Sequence, residues 1–599
     1  MRLFLTLLYP LLLIGTFAFL LAQRPIRQCV VRHWKKIAVF VAFQLVVVNV
    51  LLILHLRQES FITYWDFGGF YRKTLEFADM LQRSGGEAWD NLWTSLNYAE
   101  YSYLPECFLM LPMSLVGDSF PRFVLAMFNA FLVPTNLVLF VLWLMMTESL
   151  ARHQRAIRCL GAMMLALFSG NLYSMVLGYI GSSGLLWISA ILLLVYSGAL
   201  KRIHPAADGF IGLALLLTVL LRRWFAYWVV SFFVSLVVAE LLRQGSEKKW
   251  DAHAWRILLT NLFLCGILPL ILLVTVFHPL FVTMTTYDYA QAYSVAKVDG
   301  LGGVVLWFVQ YYGIVVVALA LWGWLSGIGR SQRRQFSWAC LFQILISCVL
   351  FNQVQNMGSH HYYIINIPMM ILMLQGAADL GERLSRKGLA GCGAVVCALQ
   401  MLLLSRTILF APSSTADPLL KKAGTLISVP FPDLRIRHDN DQIRQLALFL
   451  QTTPQEYEYV YTLSNSVLFN DDMLYNAFLP QDLNPVPNLI TASAYDYRDG
   501  VPAQFFQYYY IVVADPIQLQ FGEEGQRCVS ILADLMLHDE QLRQYYTVVR
   551  EVQLDEGVRV QVFRRIEQIP NSLRQRISDM YRQIYPDDPQ LYTFEMLPE

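Results

Sequence analysis

The chain has 599 residues, of which 56% are hydrophobic and 15% charged, and its mean hydropathy is +0.45. A water-soluble protein of this length exposes far more charge, so that class is excluded. A formal net charge of +1 offers no global field for nucleic acid or for an acidic partner.

The N-terminal stretch 2–21 has the apolar core of a signal peptide, but it lacks a small-residue cleavage site and is long enough to cross a bilayer. It therefore reads as a retained helix. Apolar runs near 20 residues, which suit a hydrocarbon core of about 30 Å, recur along the chain. They place about twelve spans at 3–22, 37–56, 121–147, 158–176, 184–200, 207–221, 224–242, 256–277, 302–326, 337–351, 361–378 and 389–409.

Charge orients these spans. Alternate loops carry the base: Arg24, Arg27, Arg32, Lys35 and Lys36; Arg152, Arg155 and Arg158; Lys201 and Arg202; Lys248 and Lys249; Arg330, Arg333 and Arg334; Arg383, Arg386 and Lys387. The positive-inside rule puts this set in the cytoplasm. The N-terminus, the loops 57–120, 278–301 and 352–360, and the chain beyond about 410 then lie outside.

Segment 410–599 is rich in Pro, Asp and Gln and has no spanning run. Strand patterns at 457–463 and 508–514, a closing hairpin at 546–564 around Asp555-Glu556-Gly557, and helical patterns at 439–451, 466–478 and 526–537 make it a small α/β domain. The expected fold is thus an α-helical polytopic membrane protein, a transmembrane module over 1–409 followed by an extracytoplasmic α/β domain over 410–599.

Nine cysteines are scattered, mostly inside apolar runs, with no CxxC pair and no His/Cys spacing for a metal. There is no P-loop, no nucleotide-binding glycine loop and no internal repeat. Chemistry concentrates in loop 57–120, which leaves a membrane helix and runs Thr63-Tyr64-Trp65-Asp66-Phe67-Gly68-Gly69-Phe70-Tyr71. The next stretch, 69–83, has an apolar face and suits a helix lying in the membrane surface. Tyr101-Ser102-Tyr103-Leu104-Pro105-Glu106 follows.

This order of helix, Asp, aromatics, amphipathic helix and Tyr-x-x-Pro resembles the first external loop of the polytopic GT-C glycosyltransferases, in particular the mannosyltransferase-like branch and families 39 and 87. The run NLYSMVLGYIGSSGLLWISAILLLVYSG within 171–198 resembles a segment of that branch, which commonly has Gly-Gln where this chain has Gly178-Tyr179. His360-His361-Tyr362-Tyr363-Ile364-Ile365-Asn366-Ile367-Pro368 resembles a late stretch of the same fold. The resemblance implies a GT-C-like module in a bacterial-type cytoplasmic membrane. The donor would be a polyprenyl-phosphate-linked sugar, and the acceptor an envelope glycan, lipid or protein on the outer face. It also makes Asp66 the catalytic base.

The residues themselves leave roles open. Asp66 suits proton removal from an acceptor hydroxyl at the membrane boundary, and equally suits an N-cap. Arg222 and Arg223 interrupt two apolar spans on the predicted outer side; paired guanidinium groups match phosphate oxygens, or snorkel to headgroups. On the resemblance, His360, His361 and Tyr362 are candidates for donor or acceptor contact, while tandem histidines at a span's end equally suit a plain interfacial pair. Asp288 and Asp299 are candidates for acceptor or cation contact, and Glu106 for assisting Asp66 at the substrate or holding a metal, each against a plain loop role. No metal ligand set is legible, although a divalent cation stays open. A transporter or flippase of envelope lipids, or a non-catalytic envelope assembly protein, are the alternatives.

Overall fold

The computed structural model describes residues 1–248, 250–297, 300–331, 333–408, 430–490 and 495–598. Asp299 lies outside them. The chain forms two compact units.

The first unit comprises Met1–Gln58, Lys73–Gln291 and Lys297–Leu434, and it is helical. Among the described residues, ten of its helices are long and apolar enough to cross a membrane, from Arg2–Ala22 to Arg386–Leu404. An eleventh stretch, Leu301–Tyr312 with Ile314–Ile328, bends by 98°. The break falls at Gly313, whose φ of 79° is open to a residue without a side chain. The run 302–326 is therefore two helices where its hydropathy suggests one. The expected span 207–221 is the 17-residue helix Pro205–Leu221, shorter than the others.

Helix Tyr363–Arg383 is the axis of this unit and is buried along almost all its length. Helix Ile314–Ile328 lies against it through two glycines. A Cβ on Gly323 would collide with the carbonyl oxygen of Leu372, and one on Gly376 with that of Leu319. Small residues at such a crossing let backbones approach and gain dispersion contact where lipid supplies no hydrophobic drive. The N-terminal part of the axis is pinned by hydrogen bonds. Tyr312 Oη donates to Asn366 Oδ1 (2.6 Å), Asn366 Nδ2 donates to the carbonyl of Gly170 (2.6 Å), and Tyr311 Oη donates to the same carbonyl (2.8 Å).

The second unit comprises Glu59–Arg72, Ala292–Ala296 and Arg435–Glu599. Its five-stranded sheet contains β1 (Val460–Leu463), β2 (Leu489–Ile490), β3 (Tyr510–Asp515), β4 (Tyr546–Gln553) and β5 (Arg559–Arg565), in the order β2-β1-β3-β5-β4. β1 runs parallel to β2 and β3, while β5 runs antiparallel to β3 and β4. The central strand β3 sends Ile511 and Val513 to one core and Tyr510, Val512 and Ala514 to the other, as a period of two requires. Helices Asn440–Thr452 and Gly522–His538 match the sequence patterns, and the hairpin turns at Asp555–Gly557. Strand β2 and helix Asn571–Ile584 were not anticipated.

Segment Glu59–Arg72 is stitched into this second unit. Ser60 N–H donates to the carbonyl of Arg435 (2.9 Å), and Arg437 N–H donates to that of Ser60 (2.8 Å). Arg435 holds Glu59 through Nε (2.7 Å) and Nη2 (2.8 Å). Ile62 is buried in the sheet's core.

Candidate functional site

The candidates divide between the units. Asp66 belongs to the second. Arg222, Arg223, Glu106, Asp288, His360, His361 and Tyr362 belong to the first.

Asp66 stands in the first turn of helix Trp65–Arg83, and its side chain is exposed. The residue before it, Trp65, has φ 50°, a left-handed conformation that a bulky residue adopts only when its surroundings impose it. Two bonds do so. Trp65 N–H donates to Asp472 Oδ2 (2.8 Å), and its indole N–H donates to Asn465 Oδ1 (3.1 Å). Asn476 Nδ2 donates to the carbonyl of Thr63 (2.9 Å). Arg72 donates to the carbonyl of Leu483 (2.7 Å) and lies over the ring of Tyr475 at 3.2 Å. Burial lifts the Asp472 carboxyl above its ordinary range, and the negative charges of Asp471 and Asp66 push the same way; the Trp65 N–H and Arg72 oppose them. Asp66 is thus held on a rigid, strained turn whose anchors lie some 400 residues later in the chain.

The second cluster is built on the tight connection between helix Pro205–Leu221 and helix Ala226–Glu247. Arg222 is extended there and buried at 5% exposure, with its guanidinium 4.5 Å from the centre of the Tyr101 ring. Arg223 donates to the carbonyl of Ala99 and to Tyr289 Oη (3.4 Å). Ser102 Oγ donates to the carbonyl of Leu220 (3.0 Å), so the segment 99–102 clamps the connection. Lys73, which sequence reasoning passed over as one polar position of an amphipathic helix, joins the group. Its Nζ donates to the Tyr101 carbonyl (2.5 Å) and lies 4.5 Å from the centre of the Tyr103 ring.

Glu106 is buried at 1% exposure, and its Oε2 has no hydrogen-bond partner among the described residues. Burial raises its carboxyl above the usual range, against the charges of Lys73 and Arg222. Burial depresses the Lys73 ammonium; Glu106 supports its charge and Arg222 opposes it. His360 and His361 complete the neighbourhood. His360 stacks on Tyr179 (4.1 Å between centroids, 7° between planes), and His361 meets Trp224 edge-on at 5.8 Å. Both imidazoles are depressed below 6.5, first by burial, with the charge of Arg222 adding to it. His361 Nδ1 lacks a hydrogen-bond partner among the described residues.

Two of the candidates stand apart from this group. Tyr362 is buried in a stack on Tyr311 (4.1 Å, 13°). Asp288 is exposed and accepts from the Gln291 N–H (3.0 Å), capping the start of the short helix Tyr289–Ala292. Tyr179, Trp224, Lys73 and Asp472 went unread in sequence as site residues. Tyr179 alone carried a signal, as the departure from the Gly-Gln pattern.

Among the described residues, the group of three donors close enough to share a metal ion is Cys29, His33 and Glu148, within 4.8 Å of one another. Arg32 already pairs with Glu148 at 3.0 Å.

A buried guanidinium beside a lysine, a carboxyl group and two imidazoles can seat an oxyanion. In a low-dielectric surrounding the attraction of such cations for phosphate is strong, and the lone carboxyl limits the like-charge cost while the seat is empty.

No protein-family model matches the chain, and no curated protein matches it in sequence. Two solved structures are similar in fold, the crystal structures of ArnT from Cupriavidus metallidurans bound to undecaprenyl phosphate and in the apo state. They share 14% and 11% identity with this chain at TM-scores of 0.47 and 0.46, each covering 88% of this chain and 98% of its own.

Proposed function

We propose that this chain is an inverting membrane glycosyltransferase of the GT-C kind. It moves a sugar from a polyprenyl-phosphate donor to a cell-envelope acceptor on the outer face of the membrane. The observation that carries this reading is the Arg222 neighbourhood, a buried cationic seat at a connection between apolar helices, built with Lys73, Glu106 and the two histidines. The motif resemblance of loop 57–120 and of the 360–368 run supports it.

In this reading Arg222, Arg223 and Lys73 hold the donor phosphate. The acceptor oxygen attacks the anomeric carbon from the face opposite the lipid phosphate, through an oxocarbenium-like state. The C–O bond to phosphate breaks with its electron pair, and the acceptor proton passes to a carboxylate base, the role that the motif resemblance of loop 57–120 gives to Asp66. The departing phosphate already carries charge well and needs cations more than a proton. His360 and His361, kept neutral, donate and accept hydrogen bonds at the sugar or phosphate.

Native mass spectrometry of the purified full chain with undecaprenyl phosphate tests the seat. Wild type retains the lipid, while an Arg222→Ala/Lys73→Ala double variant of unchanged thermal stability retains at least tenfold less. Equal retention by both would remove the seat. Vesicles in which a lipid-linked sugar crosses the bilayer with no covalent product would favour the flippase alternative.

A further inference from the structure

Over Arg386–Leu404, helix Arg386–Ile408 is the most exposed of the candidate spans. Between it and helices Gln154–Ala166, Ile314–Ile328 and Tyr363–Arg383 lies a cavity of about 590 Å³. Its walls are apolar apart from Ser169 and Gln400, with Leu160, Leu389 and Val395 along its length. An apolar space of this size left empty costs dispersion contact on every wall. In a bilayer, hydrocarbon chains are what is at hand to fill it.

Beside this cavity lies a second, of about 690 Å³. Leu160 and Leu389 line both. The second cavity is lined by His153, Arg155 and Arg386, all in loops or helix starts of the basic set that the positive-inside rule assigns to the cytoplasm. Arg155 and Arg386 are exposed, and neither forms an ion pair among the described residues. The nearby carboxylate Glu382 is engaged, accepting from the Ala151 N–H (2.9 Å) and pairing with Arg330 (3.2 Å). A basic lip thus adjoins an apolar groove.

We propose that this pair of cavities binds an anionic diacyl phospholipid of the cytoplasmic leaflet. Its phosphate sits between Arg155 and Arg386, and an acyl chain lies along Leu160, Leu389 and Val395. Exposed arginines at a membrane surface favour an abundant anionic headgroup over a zwitterionic one. The apolar groove supplies the grip that a bare basic patch lacks. The lipid wedges helix Arg386–Ile408 against the bundle, and the site is independent of the transferase reading.

The test is native mass spectrometry of delipidated full-length protein titrated with phosphatidylglycerol, phosphatidylethanolamine or undecaprenyl phosphate. Phosphatidylglycerol should bind at least tenfold more tightly than phosphatidylethanolamine, and Arg155→Ala/Arg386→Ala should erase that preference while leaving thermal stability in detergent unchanged. Leu389→Trp, which fills the junction, should lower retention of both phospholipids. Equal binding of the two phospholipids by wild type would overturn the proposal. So would a preference that survives the double substitution, or tighter binding of undecaprenyl phosphate through the same two arginines.

Discussion

The backbone N–H of Trp65 donates to Oδ2 of Asp472 at 2.8 Å, and this bond holds a tryptophan at φ 50° one residue before Asp66. Residues 59–72 belong to the second unit, fastened to it by Glu59–Arg435 and by the paired backbone bonds of Ser60. The aim of the Asp66 carboxylate therefore depends on a side chain more than 400 residues away in sequence.

Asp472→Ala should free Trp65 from its left-handed conformation, because the backbone donor loses its acceptor. A loss of about 1–3 kcal/mol is expected from the orphaned N–H, with turnover falling more than donor affinity. Asp472→Asn keeps an acceptor oxygen and should retain most activity. The two also differ in pH response. The wild-type carboxyl is raised above 3.8 by burial and by Asp471, so the folded state holds the proton that the unfolded state has released. Stability from this group falls as pH rises from the ordinary aspartate range toward the folded value, and Asp472→Asn should flatten that slope in thermal melts taken across pH 4–8.

His361 should give a slope of the opposite sense. Burial and Arg222 depress its imidazole below 6.5, so the unfolded state binds a proton that the folded state refuses. Stability is then present above about pH 6.5 and is lost as pH falls below it. His361→Gln should reduce the loss between pH 6.5 and 5, measured as the difference in melting temperature between those values.

Glu106→Gln should destabilise the first unit. Its carboxyl is the counter-charge that Lys73 and Arg222 feel inside a buried neighbourhood. Removing it leaves like charges facing one another, at a cost of about 1–3 kcal/mol, below the about 3–5 kcal/mol seen when a contact ion pair is broken. Excess phosphate should recover part of the melting temperature by occupying the cationic seat, whereas it should leave wild type nearly unchanged.

Gly376→Leu should separate helices Ile314–Ile328 and Tyr363–Arg383, since any Cβ there meets the carbonyl oxygen of Leu319. Overpacking costs typically about 1–3 kcal/mol when side chains can move; a backbone obstacle cannot move, so a larger loss is expected, visible as aggregation in detergent at lower temperature than wild type.

The membrane spans were legible because hydropathy over 20 residues is a local property: among the described residues, eleven of the twelve expected runs fall on a helix, or on the bent pair, long and apolar enough to cross, and the twelfth, 207–221, is the shorter helix Pro205–Leu221. The bend at Gly313 was not, since a lone glycine in an apolar run carries no sign of whether its φ turns positive. In the second unit, β1, β3 and the β4–β5 hairpin follow from alternation and from Asp555-Glu556-Gly557. Helix Asn571–Ile584 was hidden by its arginines, although Leu573, Ile577 and Tyr581 form a stripe at helical spacing. Arg222 was singled out because charge is rare between apolar helices. Lys73 and Asp472 were missed because what makes them special is a distant partner: the Tyr101 carbonyl for one, the Trp65 N–H for the other.

The role of Asp66 is tested most directly in nanodiscs holding the full chain, a polyprenyl-phosphate sugar and total envelope acceptor, by following release of the lipid phosphate. Asp66→Asn should bind donor as wild type does and lower turnover by at least a hundredfold, the scale of a lost general base. Turnover equal to wild type in that variant would contradict the account.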